Sequence, residues 1–212
     1  ALLNGQPVRR TPYPVHRTTG EEERTAVLRV LERGVLSAFE GTHSTGFRGG
    51  SEVQALEEEW AAKFDVKHAI AVNSATSGLL AAVGATGVGP GDEVIITPLT
   101  MSGSVAAILG CNAVPVFADV EPDTFNLDPV AVERVLTPRT KAIIIVHIFG
   151  HPADMEPLLT LARRHKLCVI EDAAQAPGAQ YHGRRAGTLG DLGVFSMNYN
   201  KNIQCGEGGI LL

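Results

Sequence analysis

The chain has 212 residues, of which 44% are hydrophobic and 19% charged, with a net charge of −5. This is enough for a sizeable globular core, and the lack of a basic block argues against nucleic acid or an anionic membrane surface as partner. Apolar runs are broken by Gly, Asp or Pro before the roughly 18 residues of a bilayer span, and the first residues carry too short an apolar run for a signal peptide.

In chain order, residues 1–18 hold three prolines and read as an extended arm. Thr19 with Glu22 fits a capping box, after which Val27, Leu28 and Leu31 share one helical face. GVLSAFEGTHSTGFRGG, residues 34–50, reads as a loop rich in small residues. Ser51 with Gln54 suggests a second cap, and Val53, Leu56, Trp60 and Phe64 step by three or four along a helix. From there strands and helices alternate. HAIAVN, DEVIIT, VPVFADV, KAIIIVHI and LCVIED are strand-like, with TSGLLAAVGA, SGSVAAILG, a helix capped by Asp128 and opened by Pro129, and DMEPLLTLARRHK between them. LGVFS and GGILL add two more strand-like pieces. The alternation predicts an α/β fold in three layers, α/β/α, with a mostly parallel central sheet.

Ligands of such sheets sit at the carboxyl ends of the strands, and the unusual residues fall there: Asn73 to Gly78, Thr97 to Met101, Asp119, His147, and Glu171 to Gln175. NSATSGL, a small-residue turn opening a helix, suits a phosphate, although the same residues also serve as plain helix caps. No GxGxxG follows a strand and no GxxxxGK[ST] is present, so dinucleotide and P-loop readings lose support. Asp172 closes an apolar strand, where a carboxylate needs a cation or a donor. It is either a structural cap or ion-pair member, or the counter-charge of a cationic ligand group.

Lys201 lies between two strand-like pieces, with glycines at 206, 208 and 209. Most lysines are solvated surface charges. One held in such a loop is desolvated, which favours its neutral, nucleophilic amine. A Schiff-base lysine, a strand-end aspartate and a phosphate turn together describe a site for pyridoxal 5'-phosphate. His147 and His151 are four apart, but Gly150 and Pro152 break any helix there, so no metal site is expected. The serines lack a GxSxG elbow, and Cys205 reads as a packing residue. Cys111, Cys168 and Cys205 show neither CxxC nor zinc spacing, which points to the reducing cytoplasm.

Five segments in order, GVGPGDEVIITPLT, PVFADVEPDTFNLDP, TPRTKAIIIVHIFGHPADM, VIEDAAQAPGA and GDLGVFSMNYNKNIQCGEGG, resemble the DegT/StrS-type sugar aminotransferases. These are pyridoxal-phosphate enzymes of fold type I, similar in fold to aspartate aminotransferase. The resemblance runs from about Leu36 to the end. It implies that Lys201 forms the imine, that Asp172 partners the pyridine nitrogen, and that Gln175 lies near the cofactor's 3-hydroxyl. Ser196, Thr76 and Ser77, with the backbone of Ala75, would hold the phosphate. Met101 and Ala174 would cover the two ring faces, and Asn198 would face the substrate. The family often has glycine where Ala75 stands and an aromatic residue where Met101 stands, so ring stacking is expected to be weaker.

The resemblance also implies the reaction: transfer of an amino group from glutamate or glutamine to a keto sugar, nucleotide-linked, or alternatively to a keto-cyclitol. A non-catalytic pyridoxal-phosphate sensor or scaffold is the reading from a different class. Some relatives carry histidine in place of the lysine and act as dehydratases; Lys201 argues against that branch. Residues 1–50 are expected to form an arm, a helix and a substrate-side loop, and residues 51–212 the cofactor-binding large domain. A C-terminal small domain would follow beyond this chain, and a homodimer is expected, its partner subunit contributing to the phosphate site.

Overall fold

The computed structural model describes residues 6–12, 19–44 and 46–212. The arm expected over residues 1–18 lies for the most part outside them. Two compact units are present, Ala1–Gly50 and Ser51–Leu212.

The first unit contains helix α1 (Glu21–Arg33). Its cap forms one residue later than the Thr19–Glu22 spacing predicts. Three glutamates follow Gly20, and the third, Glu23, reaches back to accept the Gly20 N–H at 2.6 Å. That bond holds the Glu23 carboxyl below its ordinary value. Gly34, at φ 71°, ends the helix in the left-handed region.

The second unit opens with α2 (Ser51–Phe64), β1 (Ile70–Val72), α3 (Ala75–Ala85), β2 (Glu93–Ile96), α4 (Ser102–Gly110) and β3 (Val114–Phe117). It continues with α5 (Pro129–Val135), β4 (Thr140–Val146), a 3₁₀ turn (Ile148–Gly150), α6 (Met155–His165) and β5 (Cys168–Asp172). The chain ends with β6 (Gln180–Tyr181), β7 (Arg184–Arg185), β8 (Leu192–Ser196) and β9 (Gly209–Leu211). Each strand-like or helix-like segment from residue 51 onward carries its expected element, trimmed at the ends where the backbone leaves the ladder or the helical turn. Among the described residues no helix is long and apolar enough to cross a membrane.

Seven strands form one sheet in the order β1-β9-β8-β5-β4-β2-β3. The pairs β2–β3, β2–β4, β4–β5 and β5–β8 are parallel, whereas β9 runs antiparallel to both β8 and β1. The sheet is therefore mostly parallel and lies between helical layers, an α/β/α fold. Its central strands alternate between faces with period two. Ala142, Ile144 and Val146 of β4 join Val94 and Ile96 of β2 beneath α3 and α4. Ile143 and Ile145 join Ile95 and Val169 against α5 and α6. Ile143, Ile144 and Ile145 are fully buried, each contributing about 1.5–3 kcal/mol relative to exposure. A third cluster packs Trp60 and Phe64 of α2 on Phe195 and Ile210, with the Trp60 and Phe64 rings stacked at 5.1 Å.

After β3 the chain returns to the other side of β2 to form β4, so the strand order reverses there. A crevice opens at the carboxyl ends of strands at such a switch.

Candidate active site

The start of α3, the loops after β2, β5 and β8, and the approach to β9 enclose a cavity of about 290 Å³. Ala75, Thr76, Met101, Asp172, Ala174, Gln175, Ser196, Asn198 and Lys201 all line it. Residues far apart in sequence thus meet because five chain segments come together at the carboxyl ends of the parallel strands. Ser77 does not line the cavity: its N–H donates to the Ser74 hydroxyl at 3.1 Å and its own hydroxyl pairs with the same oxygen. Asp119 and His147, also at strand ends, do not reach the cavity wall.

The Asp172 side chain is buried, its residue only 5% exposed. Its Oδ1 accepts the Ala174 N–H at 3.1 Å and its Oδ2 accepts the Ser104 hydroxyl at 2.7 Å. Ser104 in turn contacts the Thr100 hydroxyl at 3.0 Å. No cation pairs with Asp172 among the described residues. A carboxylate so placed holds negative charge toward the cavity, where a cationic group would be favoured.

The Lys201 backbone is pinned by its N–H to Asn198 O at 2.9 Å. Its half-buried side chain lines the cavity, and among the described residues its amine meets no hydrogen-bond acceptor. Asn198 donates from Nδ2 to both oxygens of Glu207, each at 2.9 Å, so its amide is already engaged at the cavity wall. The Cys205 thiol donates to Met197 O and Glu207 O, and burial followed by the Glu207 charge pushes it up, keeping it protonated.

Ser74 caps α3, and the next two amides, Ala75 and Thr76, precede the first intrahelical acceptors. The buried Ser196 oxygen accepts the Asn198 N–H at 3.3 Å, leaving its own proton for another acceptor. Amides and hydroxyls converging on a helix start form an anion site. Gly209 lets this end of α3 approach: a Cβ there would stand 2.8 Å from Ala75 N and 2.9 Å from Phe195 O. Met101 is 67% exposed, and its sulfur accepts the Gly103 N–H at 3.1 Å, so the thioether also caps α4. The Gln175 Oε1 accepts the Phe149 N–H at 2.7 Å, which leaves its amide hydrogens free to face the cavity.

Sequence reasoning missed Ser104 and the pair His147–Glu171. Ser104 stands four residues after Thr100 at a helix start, a spacing that puts both hydroxyls on one face; that was its signal. Glu171 Oε2 takes the His147 Nε2 hydrogen at 2.8 Å and the Gly187 N–H at 2.8 Å, while Oε1 accepts the amides of Leu189 and Gly190, each at 2.6 Å. His147 Nδ1 accepts the Ala153 N–H at 3.1 Å, which makes Nε2 the protonated nitrogen. Among the described residues no group of His, Cys, Asp and Glu is placed to hold a metal ion.

The profile of the DegT/DnrJ/EryC1/StrS aminotransferase family matches residues 30–212. The L-glutamine:2-deoxy-scyllo-inosose aminotransferase of Streptomyces kanamyceticus is 42% identical over 213 residues, covering 99% of this chain and 48% of the relative. The GDP-perosamine synthase of Caulobacter vibrioides is 49% identical over 162 residues, covering 76% of this chain and 44% of the relative. The crystal structure of 3-amino-5-hydroxybenzoic acid synthase superposes with a TM-score of 0.86 at 38% identity, over 94% of this chain and 50% of that one. The chain thus spans about half the length of the curated relatives it matches.

Proposed function

Because the chain belongs to the DegT/DnrJ/EryC1/StrS aminotransferase family, we propose that its cavity binds pyridoxal 5'-phosphate and serves a transaminase. The amino group passes from glutamine or glutamate to a keto group on a polyhydroxylated ring. One observation carries the reading: a lysine amine and a buried aspartate, neither with an ionic partner among the described residues, face the same cavity as a hydroxyl-rich helix start. This donor set fits the three ends of the cofactor, namely its aldehyde, its ring nitrogen and its phosphate. When bound, the cofactor supplies a carbonyl for imine exchange and a ring that accepts an electron pair from the substrate carbon.

Lys201 supplies the amine that holds the cofactor and, once released, carries a proton from and to the substrate carbon. Asp172 holds a proton at the ring nitrogen, with Ser104 and the Ala174 amide fixing its two oxygens. Thr76, Ser196 and the amides at the start of α3 bind the phosphate. In this reading Ser77 supports that turn by orienting Ser74 and is not itself a ligand. Gln175 donates toward the ring oxygen, Met101 and Ala174 flank the ring, and Asn198 with Glu207 borders the substrate space.

The acceptor is a keto sugar, nucleotide-linked, or a keto-cyclitol. The name of the Caulobacter vibrioides relative supports the first and that of the Streptomyces kanamyceticus relative the second. A homodimer is part of the proposal, because Leu99, Met101, Tyr199 and Ile203 expose apolar surface along the loops that frame the cavity. Cys111, Cys168 and Cys205 are free thiols, which supports a cytoplasmic setting. Adding glutamine to the cofactor-loaded protein tests the activity. The reading expects the absorbance band near the visible edge to collapse and then to return when a keto acceptor is supplied. A band that never responds to any amino donor means the cavity binds the cofactor without turnover.

A further inference from the structure

A second cavity of about 290 Å³ opens beside the first and shares Ala174, Gln175, Asn200 and Lys201 with it. Its remaining walls are Phe149, Pro177 and Asn202. Phe149 is 74% exposed and held at φ 55°, ψ 17°, a left-handed conformation uncommon for a bulky residue. Such backbone persists where the surroundings over-determine it, which marks functional sites.

The surroundings here do so. Asn126, fully buried, accepts the Ile148 N–H at 3.2 Å through Oδ1 and donates from Nδ2 to His151 O at 3.1 Å. Gln175 takes the Phe149 N–H itself. The His147 ring anchors the far side of the turn through Ala153. Three side chains from three parts of the chain thus fix a turn that buries Ile148 in the core and leaves the Phe149 ring exposed. Phe125, also left-handed at φ 61°, meets the Phe149 ring edge to face at 6.5 Å and limits where it can go.

We propose that Phe149 is the apolar wall of a subsite for the ring of the keto acceptor, with the carboxamides of Asn200 and Asn202 binding its hydroxyls. The proposal rests on the transaminase reading. The chemistry of the walls selects this occupant. An aromatic face packs on the C–H face of a saturated ring, and carboxamides both donate and accept, as adjacent hydroxyls require. Among the described residues that form the walls there is no guanidinium, and Lys201 is the one cation. Such walls favour the uncharged ring that carries the keto group over a diphosphate, which calls for more than one cation. Lys201, common to both cavities, then stands between cofactor and acceptor.

The test uses Phe149→Ala, Phe149→Tyr and Phe149→Leu in the cofactor-loaded protein, with scyllo-inositol and methyl glucoside as unreactive ring probes. Binding is read by saturation-transfer NMR and calorimetry, and the response to glutamine by absorbance. We expect at least one probe to bind the parent protein, Phe149→Ala and Phe149→Leu to weaken it tenfold or more, and Phe149→Tyr to keep it within threefold. The Phe149→Ala effect on the glutamine response is expected to be at least tenfold smaller than its effect on probe binding. Failure of both probes to bind the parent, full retention in Phe149→Leu, or equal losses in probe binding and glutamine response would overturn the subsite. Probe binding with no glutamine response at all would leave the subsite standing and sink the transaminase reading instead.

Discussion

Glu171 and Asp172 are consecutive carboxylates on β5, both buried, yet their surroundings are opposite in kind. Glu171 accepts four hydrogen bonds, from His147 and from the amides of Gly187, Leu189 and Gly190, and its residue is 0% exposed. Asp172 accepts two and faces a cavity. Strand pleating turns the two side chains to opposite faces of the sheet. The closed carboxylate has no remaining capacity for a ligand and ties the segment after β7 to the sheet. The open one keeps capacity for a partner that the described residues do not supply. The number of acceptor sites left open, rather than burial, separates a structural acid from a site acid.

The two acids should therefore fail differently when changed. Asp172→Asn is expected to lower transaminase turnover on the order of 10²-fold or more while leaving the urea midpoint close to that of the parent. A large stability loss with intact turnover would reverse the contrast. Glu171→Ala orphans the buried amides of Gly187 and Leu189, the part-buried amide of Gly190 and the His147 N–H. It should lower the unfolding free energy in urea by about 3 kcal/mol or more, taking about 1–3 kcal/mol per orphaned donor.

Smaller effects sharpen the contrast. Ser104→Ala removes a 2.7 Å bond to Asp172 and should reduce turnover about tenfold, since hydrogen bonds to charged groups contribute about 1.5–3 kcal/mol. Ser104→Thr, which retains the hydroxyl, should recover most of it; equal losses in both variants would show that packing matters, not the hydroxyl. The smallest effect is expected far from the cavity. Glu93 is held below its ordinary 4.5 by the Thr137 hydroxyl and by Arg139, against opposing desolvation. Its folded value is depressed, so the stability it contributes is present above about pH 4.5 and is lost as pH falls through the folded value. Glu93→Gln should melt about 2–4 °C lower at pH 7, and the gap should close on acidification.

Much of this architecture was legible in the sequence because it rests on patterns with clear periods. Ile143 to Ile145 announce a strand buried on both faces, and Asp128-Pro129 announce the start of α5. The β6–β7 hairpin was not legible. Its strands have two residues each, too few for any period to show. The reversal of β9 was equally hidden, since strand direction depends on where α3 and β8 place the chain, not on the composition of GGILL. In the site, Lys201, Asp172 and the turn at Ala75 could be read because each breaks the pattern of its surroundings. Ser104, by contrast, looks like any hydroxyl of a helix start, and the hydrogen bonds of Ser77 to Ser74 leave no trace in the sequence.

The central claim is that the Lys201 amine holds the cofactor. It is tested most directly by reducing the pyridoxal-phosphate-loaded protein with borohydride and mapping the modified peptide by mass spectrometry. The account predicts one stable pyridoxyl modification, on Lys201, absent from Lys201→Ala. A modification on another lysine, or one that persists in Lys201→Ala, would contradict it.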